Sequence, residues 1–228
     1  MFFDSTFILV LPGLLLALWA QMKVKGTFSK YDRYDARSGM TADRVARDIL
    51  MRGNLPVEVE HVSGNLSDHY DPRSQTLRLS DSTYGSPSLA AIGVAAHEAG
   101  HAFQHAVGYV PLSLRSNLVP VANFGSWLGM PLFFIGFFFR SGFLVDVGIV
   151  LFSFAVLFGL MTLPVEFNAS KRAIRILADG GYLTDEEIPA ARKVLDAAAW
   201  TYVASALVAV LHLLRLLILS GVLGGRDE

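Results

Sequence analysis

The chain has 228 residues, 53% of them apolar and only 17% charged, which is more apolar residue than a soluble fold of this size needs and predicts a membrane protein. A net charge of −1 gives no support to nucleic-acid binding. Cysteine is absent, which excludes disulfides and thiolate metal sites, fits a reducing compartment, and leaves histidine and carboxylates as the available metal ligands.

In chain order, Phe2 to Met22 carries an apolar run, residues 7–20, long enough to span a bilayer. Asp4 precedes it and no small-residue cleavage pattern follows, so an uncleaved anchor over residues 1–22 is expected rather than a signal peptide. Lys23, Lys25, Lys30, Arg33, Arg37, Arg44, Arg47 and Arg52 then form a basic stretch, a solvated face that predicts a cytoplasmic location. Thr41 opens a short helix with apolar positions at Val45, Ile49 and Leu50, ending at Gly53. Val57 to Val62 alternates with period two and reads as a strand; Asn65–Tyr70 and Ser74–Ser80 read as a hairpin joined through Asp71-Pro72-Arg73. His61 and His69 fall on these strands without a partner at ligand spacing and read as surface residues.

Ser86-Pro87 has the form of an N-cap followed by proline at the first helical position. The helix it introduces, residues 88–107, contains His97-Glu98-Ala99-Gly100-His101 and meets a plausible stop at Gly108. Residues four apart share a helix face, so His97 and His101 can offer imidazole nitrogens to one metal ion, and Glu98 can reach a water beside it. His97, Glu98, His101, Gln104 and His105 make this a poor lipid-facing helix. It is expected to form the core of a domain lying against the membrane.

Leu118–Phe139 and Phe143–Leu163 read as two spans joined only by Arg140-Ser141-Gly142, hence an antiparallel hairpin. A helical polar segment from Glu166 to about Gly180 follows, then a capping box at Thr184-Asp185-Glu186-Glu187 and a helix running on into a last span near Tyr202–Leu223. The expected fold is a mainly α membrane protein with about four transmembrane helices and a small α+β cytosolic domain. Its divisions are an anchor (1–22), a domain carrying the metal helix (23–117), a transmembrane hairpin (118–163), a cytosolic helical segment (164–200), and a last transmembrane helix with a short tail (201–228).

Basic residues recur at Lys171, Arg172, Arg175, Arg192 and Lys193, whereas only Arg140 lies between the second and third spans. Residues 23–117 and 164–200 are therefore expected on the cytoplasmic side, and Glu166 emerges from the membrane beside the domain holding His97 and His101. Two histidines and one glutamate leave a catalytic zinc one open position. Asp179 is a competing carboxylate about 20 Å further along the same helix, and Glu166 is favoured as nearest the membrane surface. His105 lies about 12 Å from His97 along the helix, so it is expected to support a ligand or to be a satisfied polar residue rather than to bind the same ion.

Three stretches carry a family resemblance: Asp68-His69-Tyr70-Asp71-Pro72 with Leu77-Arg78-Leu79-Ser80, Ala95-Ala96-His97-Glu98-Ala99-Gly100-His101-Ala102-Phe103-Gln104-His105-Ala106, and Leu163-Pro164-Val165-Glu166-Phe167-Asn168-Ala169-Ser170. On these, and on the order of its spans, the chain resembles the membrane-bound neutral zinc metallopeptidases of the YugP type over nearly its whole length. The resemblance implies a zinc-dependent membrane protease with a gluzincin-like, zincin-type cytosolic domain. It implies Glu166 as third ligand, in agreement with the topological argument. Where related membrane gluzincins place an aspartate four residues after that glutamate this chain has Ser170, so Asn168 and Ser170 are alternative supports for the ligands. The family pattern also implies that the strand Ser74–Ser80 is an edge able to pair with an extended substrate.

The chemistry expected is peptide hydrolysis at one zinc ion held by His97, His101 and Glu166, with Glu98 as general base. Tyr202 and His69 are candidates for stabilising the oxyanion. His212 and Arg215, inside the last span, are read as structural. Expected partners are a protein or peptide substrate, membrane proteins included, and the lipid bilayer. Competing readings are an intramembrane site-2-type protease using Asp179, opposed by the polar strands before the metal helix; a zinc-binding scaffold with no need of Glu98; and a transporter, which would need paired broken helices.

Overall fold

A computed structural model describes residues 5–222. The first residues of the expected anchor, 1–4, and the tail, 223–228, lie outside the described residues. A 3-10 turn over Ser5–Leu9 leads into α1 (Leu11–Tyr31), followed by α2 (Ala42–Arg52), β1 (Glu58–Val62), β2 (His69–Asp71), β3 (Thr76–Ser80), α3 (Leu89–Ala106), α4 (Val110–Phe138), α5 (Gly142–Asp179) and α6 (Ile188–Leu219). The chain divides into two compact units. An apolar unit takes the residues up to Ala20, Ser113–Pro164 and everything from Thr201; a polar unit takes Gln21–Leu112 and Val165–Trp200.

In the polar unit the three strands run in the order β1-β3-β2. β1 pairs parallel to β3, with Val59 opposite Leu77, and β2 pairs antiparallel to it, with Tyr70 opposite Leu77. The hairpin therefore forms as its Asp-Pro turn predicts, but β3 is central. This corrects the expectation that Ser74–Ser80 offers a free edge, because the parallel return of β1 uses the side that a substrate would need. Leu77 and Leu79 from β3 are buried with Ile49 and Leu50 of α2 and with Ile92, Ala95 and Ala99 of α3.

The metal helix begins later than Ser86-Pro87 suggests. Ser88 is the N-cap, and its side chain accepts the Ala91 N–H at 3.1 Å. Pro87 precedes the cap because its carbonyl is engaged by the Ala36 N–H, outside any helix. Gly108 adopts φ +60, the left-handed conformation that stops α3. Half of the capping box at Thr184 forms: the Glu187 carboxylate accepts the Thr184 N–H at 2.8 Å, while the Glu187 N–H goes to the Thr184 carbonyl. The other Glu187 carboxylate oxygen accepts the Arg37 N–H at 2.8 Å, tying the segment after α1 to the start of α6.

In the apolar unit, α4 and α5 approach through glycine. A Cβ on Gly129 would stand 2.8 Å from the Phe152 nitrogen, and one on Gly148 2.5 Å from the Phe133 nitrogen. Phe133, Phe152, Val156 and Leu216 fill the space the close approach leaves. Among the described residues, three helices, α4, α5 and α6, are long and apolar enough to cross a membrane. Pro164 does not end α5, which absorbs the missing N–H and continues to Asp179. The N-terminal apolar run is divided between the 3-10 turn and α1, whose later turns carry Lys23, Lys25 and Lys30.

Candidate metal centre

α3 presents His97 and His101 one turn apart, and their rings meet edge to face with centroids 4.8 Å apart. Glu166 comes from α5 and is buried. Its Oε2 lies 3.2 Å from His97 Nε2 and 3.5 Å from His101 Nε2. One ligand atom from each of the three residues lies within 4.8 Å of the others.

Close approach of the two helices makes this convergence possible, and Gly100 allows it. A Cβ at Gly100 would stand 2.8 Å from the Ala169 carbonyl oxygen of α5. Glycine within a helix costs roughly 1 kcal/mol relative to alanine. Here that cost is offset by a contact no other residue permits, one position before His101 and three after Glu166 along their respective helices.

A second ring of polar groups holds both imidazoles by Nδ1 and sets the tautomer of His101. Gln104 is fully buried. Its Nε2 donates to the Val165 carbonyl at 2.8 Å and to Asn168 Oδ1 at 3.0 Å, which commits both amide hydrogens. Its Oε1 can then only accept, so His101 Nδ1, 3.0 Å away, is the protonated nitrogen and Nε2 keeps its lone pair for a metal. Arg172 Nε donates to Asn168 Oδ1 at 2.8 Å and anchors the far end of this chain. Ser170 Oγ lies 3.1 Å from His97 Nδ1 and holds the other imidazole by that edge, a hydroxyl that can donate or accept.

Electrostatics reinforce the grouping. Burial pushes the His101 imidazole down, but its bond to Glu166 and the charges of Glu98 and Glu166 outweigh it, and the net displacement is upward. For Glu166, in the polar unit, burial acts to raise the carboxyl, and the hydrogen bonds from His101 and His97 hold it well below the usual carboxylate range. Glu98 is buried next to His97.

The donor set fits zinc. Ligand atoms about 2.1 Å from a tetrahedral ion stand about 3.4 Å apart. The 3.2 and 3.5 Å separations to Glu166 Oε2 match two edges of such a tetrahedron. The other candidate side chains, Asp179, His105, His69 and Tyr202, lie outside this cluster. Asp179 lines a separate cavity with Arg52, Arg175 and Tyr182. His105 pairs with Tyr70, its Nδ1 2.9 Å from the phenol oxygen. His69 is exposed and bonds the Ser67 carbonyl through Nδ1 at 2.8 Å. Tyr202 belongs to the apolar unit and lines a cavity there. Sequence reasoning did not single out Gln104 or Gly100 as site residues. The available signal for Gln104 was an amide three positions after His101 in a helix whose other polar residues, His97, Glu98, His101 and His105, are all titratable.

Membrane-length apolar helices and a buried two-histidine, one-carboxylate cluster define a class: membrane-associated proteins with a donor set suited to zinc. Comparison with known proteins makes this specific. A family described as "Putative neutral zinc metallopeptidase" matches residues 6–221. The chain is 48% identical over 221 residues to the "Putative membrane protease YugP" of Bacillus subtilis (strain 168), covering 96% of this chain and 97% of that protein. The chain therefore belongs to the neutral zinc metallopeptidase family of the YugP type. No solved structure matches it.

Proposed function

We propose that this protein is a multi-pass membrane zinc metalloendopeptidase whose active site faces the cytoplasm. The observation that carries the reading is the meeting of His97 Nε2 and His101 Nε2 at one oxygen of Glu166, with Glu98 adjacent in sequence to His97. His97, His101 and Glu166 would hold zinc. Bound there, zinc supplies Lewis acidity toward a water molecule and a peptide carbonyl. Glu98 takes a proton from the attacking water and passes it to the amine as the C–N bond breaks. Gln104 and Ser170 engage the two imidazoles at Nδ1 and would leave Nε2 of each available to the ion.

The cytoplasmic assignment rests on the distribution of charge: basic residues at 23–52 and 171–193 against Arg140 alone in the loop joining α4 and α5. It implies that the N-terminal run completes a fourth span. Because the chain has no cysteine, single-cysteine variants at Arg140 and Glu186 report sidedness directly by labelling in intact cells.

Metal analysis combined with cleavage of a quenched fluorescent peptide tests the chemistry. Glu98→Gln is expected to retain zinc and lose about 10²–10⁴-fold in turnover. Glu166→Ala is expected to lose zinc and activity together. Full cleavage by the Glu98→Gln protein would sink the assignment.

A further inference from the structure

The apolar unit contains a cavity of about 350 Å3 at the convergence of α4, α5 and α6. Arg115, Asn123 and Ser126 of α4, Phe158 and Thr162 of α5, and Ser205 of α6 contribute to its lining. Arg115 is its one charged lining residue, so the cavity favours an anion. The guanidinium carbon stands 5.8 Å from the Phe158 ring centroid, which holds the cation at the wall.

Polarity falls off along the cavity. Arg115 lies near the start of α4, just before its apolar stretch, and Ser126 lies about 16 Å further along the helix. Asn123, Ser126 and Ser205 are exposed although the stretches immediately around them, residues 118–138 of α4 and 203–211 of α6, are mainly apolar. In hydrocarbon such groups are costly unless their neighbour offers hydrogen bonds. Ser126 donates to the Asn123 carbonyl and Thr162 to the Phe158 carbonyl, so both hydroxyl oxygens keep lone pairs with which to accept. An occupant that suits the site has an anionic end at Arg115, hydroxyl or ester groups beyond it, and an apolar remainder.

We propose that this cavity binds the head of an anionic glycerophospholipid, with the phosphate at Arg115 and the glycerol region along Asn123, Ser126 and Thr162. Basic pockets between transmembrane helices bind anionic lipid heads in this way. The inference rests on α4–α6 standing in a bilayer and is independent of the peptidase chemistry. Carbonate extraction of membranes tests the first point separately, because a protein released by it is not membrane-spanning and the site has no bilayer to draw from.

The test uses the full chain in nanodiscs of phosphatidylcholine, alone or with one quarter phosphatidylglycerol, and reads thermal stability and lipid retained after exchange into detergent. Wild type is expected to retain phosphatidylglycerol about fivefold over its share. Arg115→Gln is expected to lose that preference, while Arg115→Lys and Arg140→Gln keep it. A photoreactive benzophenone residue placed at Ser205 is expected to label lipid. Equal retention of the two lipids by wild type, an unchanged preference in Arg115→Gln, or loss of preference in Arg140→Gln would each overturn the proposal. So would stabilisation by inorganic phosphate alone, which marks a free-anion site, or adducts at Ser205 with protein in place of lipid, which mark a docking surface for a transmembrane segment. If Arg115→Gln fails to fold, the lipid preference of Arg115→Lys and the Ser205 adduct decide the question.

Discussion

The two units of this chain are packed by opposite rules. In the polar unit the large apolar side chains turn inward: Ile49, Leu50, Leu77, Leu79, Ile92 and Leu177 are buried, whereas the aspartate, glutamate, lysine and arginine residues other than Glu98, Glu166 and Glu187 are not. In the apolar unit many large side chains turn outward, with Trp127 at 74% and Phe143 at 75% exposure, while Gly125, Gly129 and Gly136 are buried. Water drives the first arrangement, since burying a leucine removes apolar surface from it. Lipid offers no such gain, so helices there associate by close backbone approach at small residues. The metal centre in the polar unit borrows the second device: Gly100 lets α3 and α5 approach as closely as helices do in a membrane.

Truncation and overpacking test that contrast. Leu77→Ala, at a fully buried position, is expected to destabilise the protein by about 2–5 kcal/mol. Leu15→Ala, 66% exposed on α1, is expected to change thermal unfolding in detergent hardly at all. Overpacking comes next. Gly100→Val and Gly148→Leu are each expected to cost about 1–3 kcal/mol, and only Gly100→Val should also release zinc. Gly26→Ala is the control: a Cβ there meets nothing within 4 Å, and the helix should gain up to about 1 kcal/mol.

Smaller effects sharpen the picture of the polar unit. Gln104→Ala is expected to weaken zinc binding by about 10–100-fold, measured by competition with a chelator. Ser170→Ala should act in the same direction through His97. Glu187 supplies a pH signature. Burial acts to raise its carboxyl, and the N–H groups of Thr184 and Arg37 outweigh that and lower it below its ordinary value of 4.5. The folded state thus binds this proton less readily than the unfolded chain. The stabilisation is present above about pH 4.5 and is lost as the pH falls through the depressed folded value. Glu187→Gln is expected to remove that part of the acid sensitivity in pH-dependent unfolding.

Local physics was legible in advance. The four-residue spacing of His97 and His101 places both on one face of any helix, and the apolar runs around residues 118–163 can only be buried or lie in lipid. Charge asymmetry, read with those runs, singled out Glu166 before any coordinates. Gln104 was not legible as a tautomer-setting group, since its role depends on the Val165 carbonyl and Asn168, which approach it from another helix. Nor was the place of β3, because alternation marks a strand but not its neighbours.

By itself, then, the sequence determined which segments are helical, which faces carry imidazoles, and which runs are too apolar for water, because those properties repeat with the period of the backbone. The tertiary structure alone decided that β3 is central and that Ser88 rather than Ser86 caps α3. It also decided that Glu166 Oε2 comes within 3.5 Å of both imidazole nitrogens. These depend on distances between segments remote in the chain. At Gly100 such a distance is set by the absence of a single carbon atom.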